Sequence, residues 1–102
     1  MINLPMNVLD QTVAQLCQRW RIRKLALFGS VLRSDFHSNS DIDVLIAFEP
    51  TADWNAWDLL DLRAELGLLF GREIDLVEER SLENPFRRRA ILRSQRVIYG
   101  TD

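Results

Sequence analysis

Phe28-Gly29-Ser30-Val31-Leu32-Arg33-Ser34-Asp35, followed after a short polar stretch by Ser40-Asp41-Ile42-Asp43-Val44-Leu45-Ile46, sets a Gly-Ser turn ahead of two carboxylates that alternate along an apolar strand. Residues i and i+2 of a strand point to one face, with Cα atoms ~6.6–6.8 Å apart. Asp41 and Asp43 therefore project side by side. Like charges so placed repel, and burial beside Val44, Leu45 and Ile46 raises carboxylate pKa values unless a cation offsets the repulsion. An oxygen-rich site with open positions suits Mg²⁺, which keeps several waters and is shared with substrate phosphates. The pair points to a nucleotide.

Phosphates need donors as well as metal. A strand that ends at Gly29 and turns into a helix at Ser30 presents free backbone N–H groups at the positive end of that helix, with the Ser30 hydroxyl as a further donor. Gly29 lets phosphates approach the backbone closely. Arg33, one helical turn after Ser30, is placed to reach a phosphate oxygen or to pair with a carboxylate, and the sequence leaves both roles open.

Outward from this stretch, Leu9, Val13, Leu16 and Cys17 recur at spacings of three and four, which predicts an amphipathic helix ending before Arg21. Lys24–Phe28 reads as a short apolar strand, Val31 to about Ser34 as a short helix, and 36–40 as a polar loop. Asp41–Phe48 is the second strand, closed by Pro50. Thr51 or Asp53 then caps a helix running to about Phe70, whose apolar face is Leu59, Leu62, Leu66, Leu69 and Phe70, with Gly71 at C′. Arg72–Val77 alternates as a third strand, Ile74 and Leu76 facing the core and Glu73, Asp75 and Val77 the other side. Asn84-Pro85 signals the start of a last helix through about Arg93. Arg96–Gly100 reads as a closing strand or as coil. The pattern gives an α/β (α+β) fold, a small mixed sheet flanked by helices; strand order is not readable from it.

At 102 residues, with 47% apolar and 27% charged residues, the chain suits one soluble globular domain spanning 1–102. No apolar run approaches the ~20 residues needed to span a bilayer, and the N-terminus lacks a basic segment leading into an apolar one, so a cytoplasmic protein is expected. Cys17 is alone, which excludes an internal disulfide. The net charge of −2 hides a split: residues 1–79 sum to −6 and residues 80–102 to +4. The basic end suits phosphates, an acidic partner or water, and does not make the chain a general nucleic-acid binder.

These residues resemble the nucleotidyltransferase superfamily that includes DNA polymerase beta, whose signature is Gly-Ser, a short helix, then Asp-x-Asp on the next strand. Gly29-Ser30 and Asp41-Ile42-Asp43 match it, and Asp75 matches the third acidic residue on a neighbouring strand. Ser40 before Asp41, the length and the ending Asn84-Pro85-Phe86-Arg87-Arg88-Arg89 are similar to the minimal nucleotidyltransferases, antitoxins encoded beside HEPN-domain toxins. The resemblance covers about Leu25 to Gly100. It implies transfer of AMP from ATP to a tyrosine hydroxyl of the cognate HEPN toxin, in a hetero-oligomer with that toxin. Asp41 and Asp43 would bridge two Mg²⁺ ions ~3.5–4 Å apart. Asp75 would hold the ion nearest the attacking hydroxyl, and Gly29, Ser30 and Arg33 would bind the nucleotide. Two departures stand out. Ser34-Asp35 follows the short-helix Arg where many members have Gly, and no second domain is present to grip an acceptor, which is expected to bring its own surface.

Blander readings stand beside these. Glu73 shares the face of Asp75 and rivals it as third ligand. His37 reads as a surface residue without metal-ligand spacing. Trp54 and Trp57 read as core or partner-facing aromatics rather than an adenine stack, and the arginines at 87–89 and 93 as a solvated or partner-contacting face. A contact-only antitoxin is the main functional alternative. Transfer to a small molecule and direct nucleic-acid binding rank lower.

Overall fold

The computed structural model describes residues 6–29 and 41–100. Ser30, Arg33, the short helix expected from Val31, His37 and the loop 36–40 lie outside the described residues. In chain order the elements are helix α1 (Met6–Arg19), strand β1 (Ile22–Phe28), strand β2 (Ile42–Phe48), helix α2 (Ala56–Phe70), strand β3 (Ile74–Glu78), a 3₁₀ turn (Glu79–Ser81), helix α3 (Pro85–Ser94) and strand β4 (Arg96–Gly100). Arg96–Gly100 is thus a strand rather than coil. The sheet runs β3-β2-β1-β4. β1 pairs antiparallel with both β2 and β4, whereas β2 and β3 run parallel, so the sheet is mixed as expected.

Each face of the sheet buries its own cluster. On one, Val13, Leu16, Cys17 and Trp20 from the first helical segment and Leu62, Leu66 and Phe70 from α2 pack on Leu25, Leu27, Ile42, Val44, Ile46 and Ile74. On the other, Ile91 of α3 and Leu82 pack on Ala26, Phe28 and Leu45. The register of β1 on β2 shifts between Ile22 and Lys24. That bulge lets Ile22 join Leu25 and Leu27 on the first face although strict alternation would turn it away.

Lys24, in step with Ala26 and Phe28, faces the α3 side, opposite Ala47. Lys24 is fully buried, and its Nζ donates to Glu79 Oε1 at 2.8 Å. Lysine is among the residues least often buried without a paired charge, and Glu79 supplies that charge from 55 positions away in sequence.

The start of α2 differs from expectation. Asn55, not Thr51 or Asp53, is the N-cap: its side chain accepts from the Asp58 N–H at 2.9 Å while the Asp58 carboxylate accepts from the Asn55 N–H at 3.0 Å. This reciprocal pair satisfies two otherwise unmet helix-end donors. The far end matches expectation, with Gly71 left-handed (φ 69°) and donating to Gly67 O at 2.8 Å. Asn84 caps α3 through its side-chain oxygen, which accepts from the N–H groups of Phe86 and Arg87, with Pro85 following as the first helical residue. No helix among the described residues is long and apolar enough to cross a membrane.

Candidate active site

The acidic residues enter at one end of the sheet. Asp41 immediately precedes β2 and Asp43 is its second residue. In the parallel ladder Asp43 is the direct partner of Asp75, as Ile42 is of Ile74. Directly paired residues on neighbouring strands share a face at about 4.8 Å strand spacing, and Asp41 falls on that face by strand alternation. Three aspartates therefore start from one face at one end of two adjacent strands. Asp41 and Asp75 are exposed, and Asp43 is half-buried.

Gly29 completes this end from the other side. The antiparallel register sets Phe28 against Asp43, so Gly29 lies one step beyond it. Its φ of 74° is left-handed, and a Cβ added there would fall on the Asp43 carboxylate. Sequence reasoning assigned the space at Gly29 to phosphates; within the protein it is Asp43 that comes close. Glycine is needed for conformation and room together.

Asp41, Asp43, Asp75 and Gly29 thus sit at one end of the sheet, whereas Ser30 and Arg33 lie outside the described residues. Glu73, the rival to Asp75, is 80% exposed at its side chain and turns towards Arg63, with a closest N–O distance of 3.8 Å. Arg63 itself was not singled out in the sequence. It stands on α2, and its Nε donates to the Ile74 carbonyl at 2.8 Å, fastening the helix to the outer strand one residue before Asp75. Its only sequence signal was a cation among the leucines of α2.

A cleft of about 390 Å³ lies between α2 and β3, lined by Ala56, Leu59, Leu60, Arg63, Ile74 and Leu76, and reaches Asp41 and Asp75 at its rim. Its body is on the α2 side of the sheet, while Asp43 and its strand partner arise on the α3 side. The cleft therefore abuts the carboxylates rather than enclosing them.

Among the described residues no group of three Asp, Glu, His or Cys side chains is gathered so as to hold a metal ion. The three aspartates share a face without closing into a cage. Their chemistry nonetheless fits Mg²⁺: the donors are all carboxylate oxygens, Gly29 is a cradle kept open for one of them, and Mg²⁺ is commonly bound by one or two carboxylates with water and phosphate completing the shell. Cys17 is remote in the α1-side core, where burial pushes its thiol up to about 12 and removes it as a nucleophile.

Residues 9–98 match the nucleotidyltransferase domain family. The chain belongs to that family. The nucleotidyltransferase is 30% identical over 78 residues to the protein adenylyltransferase MntA of Thermococcus cleftensis, covering 76% of this chain and 77% of that one. A solved structure described as a minimal nucleotidyltransferase superposes with a TM-score of 0.70 at 32% identity, covering 92% of this chain and 96% of its own. The MNT antitoxin complex of a tri-AMPylated Shewanella oneidensis HEPN toxin aligns with a TM-score of 0.65 at 18% identity, over 95% of this chain and 74% of the matched one. At that identity the likeness is one of fold. The chain is a nucleotidyltransferase enzyme, and the mixed sheet with flanking helices is the fold of the minimal members.

Proposed function

We propose that this nucleotidyltransferase transfers AMP from ATP to a tyrosine hydroxyl of a HEPN-family toxin and thereby acts as its antitoxin. The observation that carries the reading is the direct pairing of Asp43 with Asp75 beside the glycine that makes room for Asp43. The adenylyltransferase named among the relatives and the AMPylated toxin bound to a protein of this fold support the same transfer.

Asp41 and Asp43 would hold the metal ions against the α-phosphate of ATP, with Gly29, Ser30 and Arg33 binding the nucleotide. Asp75, exposed on the outer strand, would hold the ion nearest the acceptor and take the proton of the tyrosine hydroxyl. The hydroxyl oxygen forms a bond to the α-phosphorus, the α–β bridging bond breaks, and pyrophosphate leaves. Bound Mg²⁺ supplies charge neutralisation at the phosphates and activation of the attacking oxygen. On this reading the protein works in the cytoplasm, as a single nucleotidyltransferase domain.

A contact-only antitoxin is the second reading, favoured by the open spacing of the three carboxylates. Incubation of the chain and its toxin with α-labelled ATP and Mg²⁺ separates the two. Catalysis yields a labelled toxin with the wild-type chain and none with Asp41→Asn. Neutralisation of the toxin without label on either protein would support contact alone.

A further inference from the structure

Helix α2 is apolar on both sides. Leu62, Leu66 and Phe70 fill the core, yet Trp57, Leu60, Ala64 and Leu68 recur at spacings of three and four along the opposite side, and all four are exposed. Trp57 is 77% and Leu68 87% exposed. Covering large apolar side chains removes them from water at a gain in free energy, so a stripe of this kind is a candidate for contact with another molecule.

Two further features say what that molecule is. Leu60 belongs to the stripe and also lines the cleft whose rim carries Asp41 and Asp75, so the stripe adjoins the candidate active site. Acid lies along it unmatched at Asp53 and Asp61, which are exposed, whereas Glu65 is paired with Arg19, and Arg63 is held on the Ile74 carbonyl and turned towards Glu73. Two α2 helices packed antiparallel about a two-fold axis would set the Asp61 border against itself. A basic partner is favoured over a second copy.

We propose that the outer face of α2, Trp57-Leu60-Ala64-Leu68, is the docking surface for the protein acceptor. The acceptor lays on it a helix whose apolar strip is bordered by Lys or Arg, and this seats its hydroxyl beside Asp75. The proposal rests on the protein-modifying reading above and adds where the acceptor binds.

The probe is a purified HEPN-family toxin that the wild-type chain labels with AMP, titrated calorimetrically into the wild-type chain and into the exposed-surface triple variant Trp57→Ser, Leu60→Ser, Leu68→Ser. The triple variant is expected to bind at least about tenfold more weakly and to show a raised KM for the acceptor. Its affinity for Mg²⁺-ATP in the absence of acceptor should match wild type. An unchanged affinity for the acceptor overturns the proposal, as does failure of the wild-type chain to bind it. So does weakening by Phe86→Ser, on the opposite side of the molecule, in place of the α2 variant. Sedimentation of the free chain as a dimer that the triple variant dissolves would give the face to a second copy. Persistence of transfer in Asp41→Asn would instead overturn the catalytic reading, and leaves the affinity comparison intact.

Discussion

The two ends of the β1–β2 ladder carry charge on the same face of the sheet and handle it in opposite ways. At one end Lys24 is buried opposite Ala47, and Glu79 answers it at 2.8 Å, with Arg23 3.7 Å from the other carboxylate oxygen. At the other end Asp43 and Asp75 lie side by side, and among the described residues Asp41 and Asp75 take part in no ion pair. The first end is closed by the protein's own charges, which makes it a structural element. The second gathers acid without supplying cations to match at Asp41 and Asp75, which is the arrangement expected where a divalent ion and a nucleotide complete the site.

Substitutions at the two ends should therefore separate activity from stability. Asp43→Asn should lower AMP transfer by on the order of 10³-fold, since metal ligation supplies several kcal/mol of transition-state stabilisation, while the urea midpoint stays near wild type. Equal losses of activity and stability would make Asp43 structural. Lys24→Met should do the reverse, lowering stability by about 1–3 kcal/mol because half-buried Glu79 loses its close partner and keeps only the longer contact with Arg23, with activity per folded molecule retained. Adding Glu79→Leu should recover much of that loss in denaturant melts.

Gly29→Ala probes the boundary between the two behaviours. The left-handed backbone costs about 1–2 kcal/mol for any other residue, and the added Cβ pushes on the Asp43 carboxylate. A shift of that group by about 1 Å is enough for a roughly 10²-fold loss of turnover. Gly71→Ala is the control. It shares the positive φ but meets nothing within 4 Å, so stability should fall while the rate stays unchanged.

The smallest effect is the pH dependence set by Cys17. Its folded pKa lies near 12, above the ordinary value of 9.0, because burial disfavours the thiolate. Below pH 9 the thiol contributes no slope. Above it the unfolded chain ionises first and binds fewer protons, so stability falls, by about 1 kcal/mol at pH 10, until the folded thiol also titrates. Denaturation between pH 8 and 10 should show this slope in wild type and a flatter one in Cys17→Ala.

The acidic end was the more legible of the two, because its signal is local. Asp41 and Asp43 announce themselves by alternation on an apolar strand, and Asp75 by its place in Glu73-Ile74-Asp75-Leu76. What alternation could not give was the pairing: the parallel contact of β3 with β2 is a tertiary choice, and it is what makes Asp43 and Asp75 partners. The closed end was illegible for a related reason. Lys24 opens an apolar strand in the sequence, and its partner Glu79 lies 55 positions away, where no local pattern connects the two. Trp54 and Trp57, read together, separate in space. Trp54 precedes the Asn55 cap and donates its indole N–H to the Trp20 carbonyl at 2.7 Å, while Trp57 stands on the open side of α2. Missing the Asn55–Asp58 capping box in favour of Thr51 or Asp53 hid that distinction.

The most direct test of the three-carboxylate account is a crystal of the chain with Mn²⁺ and a non-hydrolysable ATP analogue, read by anomalous scattering. Anomalous peaks within ligand distance of Asp41, Asp43 and Asp75, with the analogue's phosphates completing their coordination, are the predicted result. Ions held by phosphates alone, with the Asp75 oxygens turned away from those of Asp41 and Asp43, would contradict it.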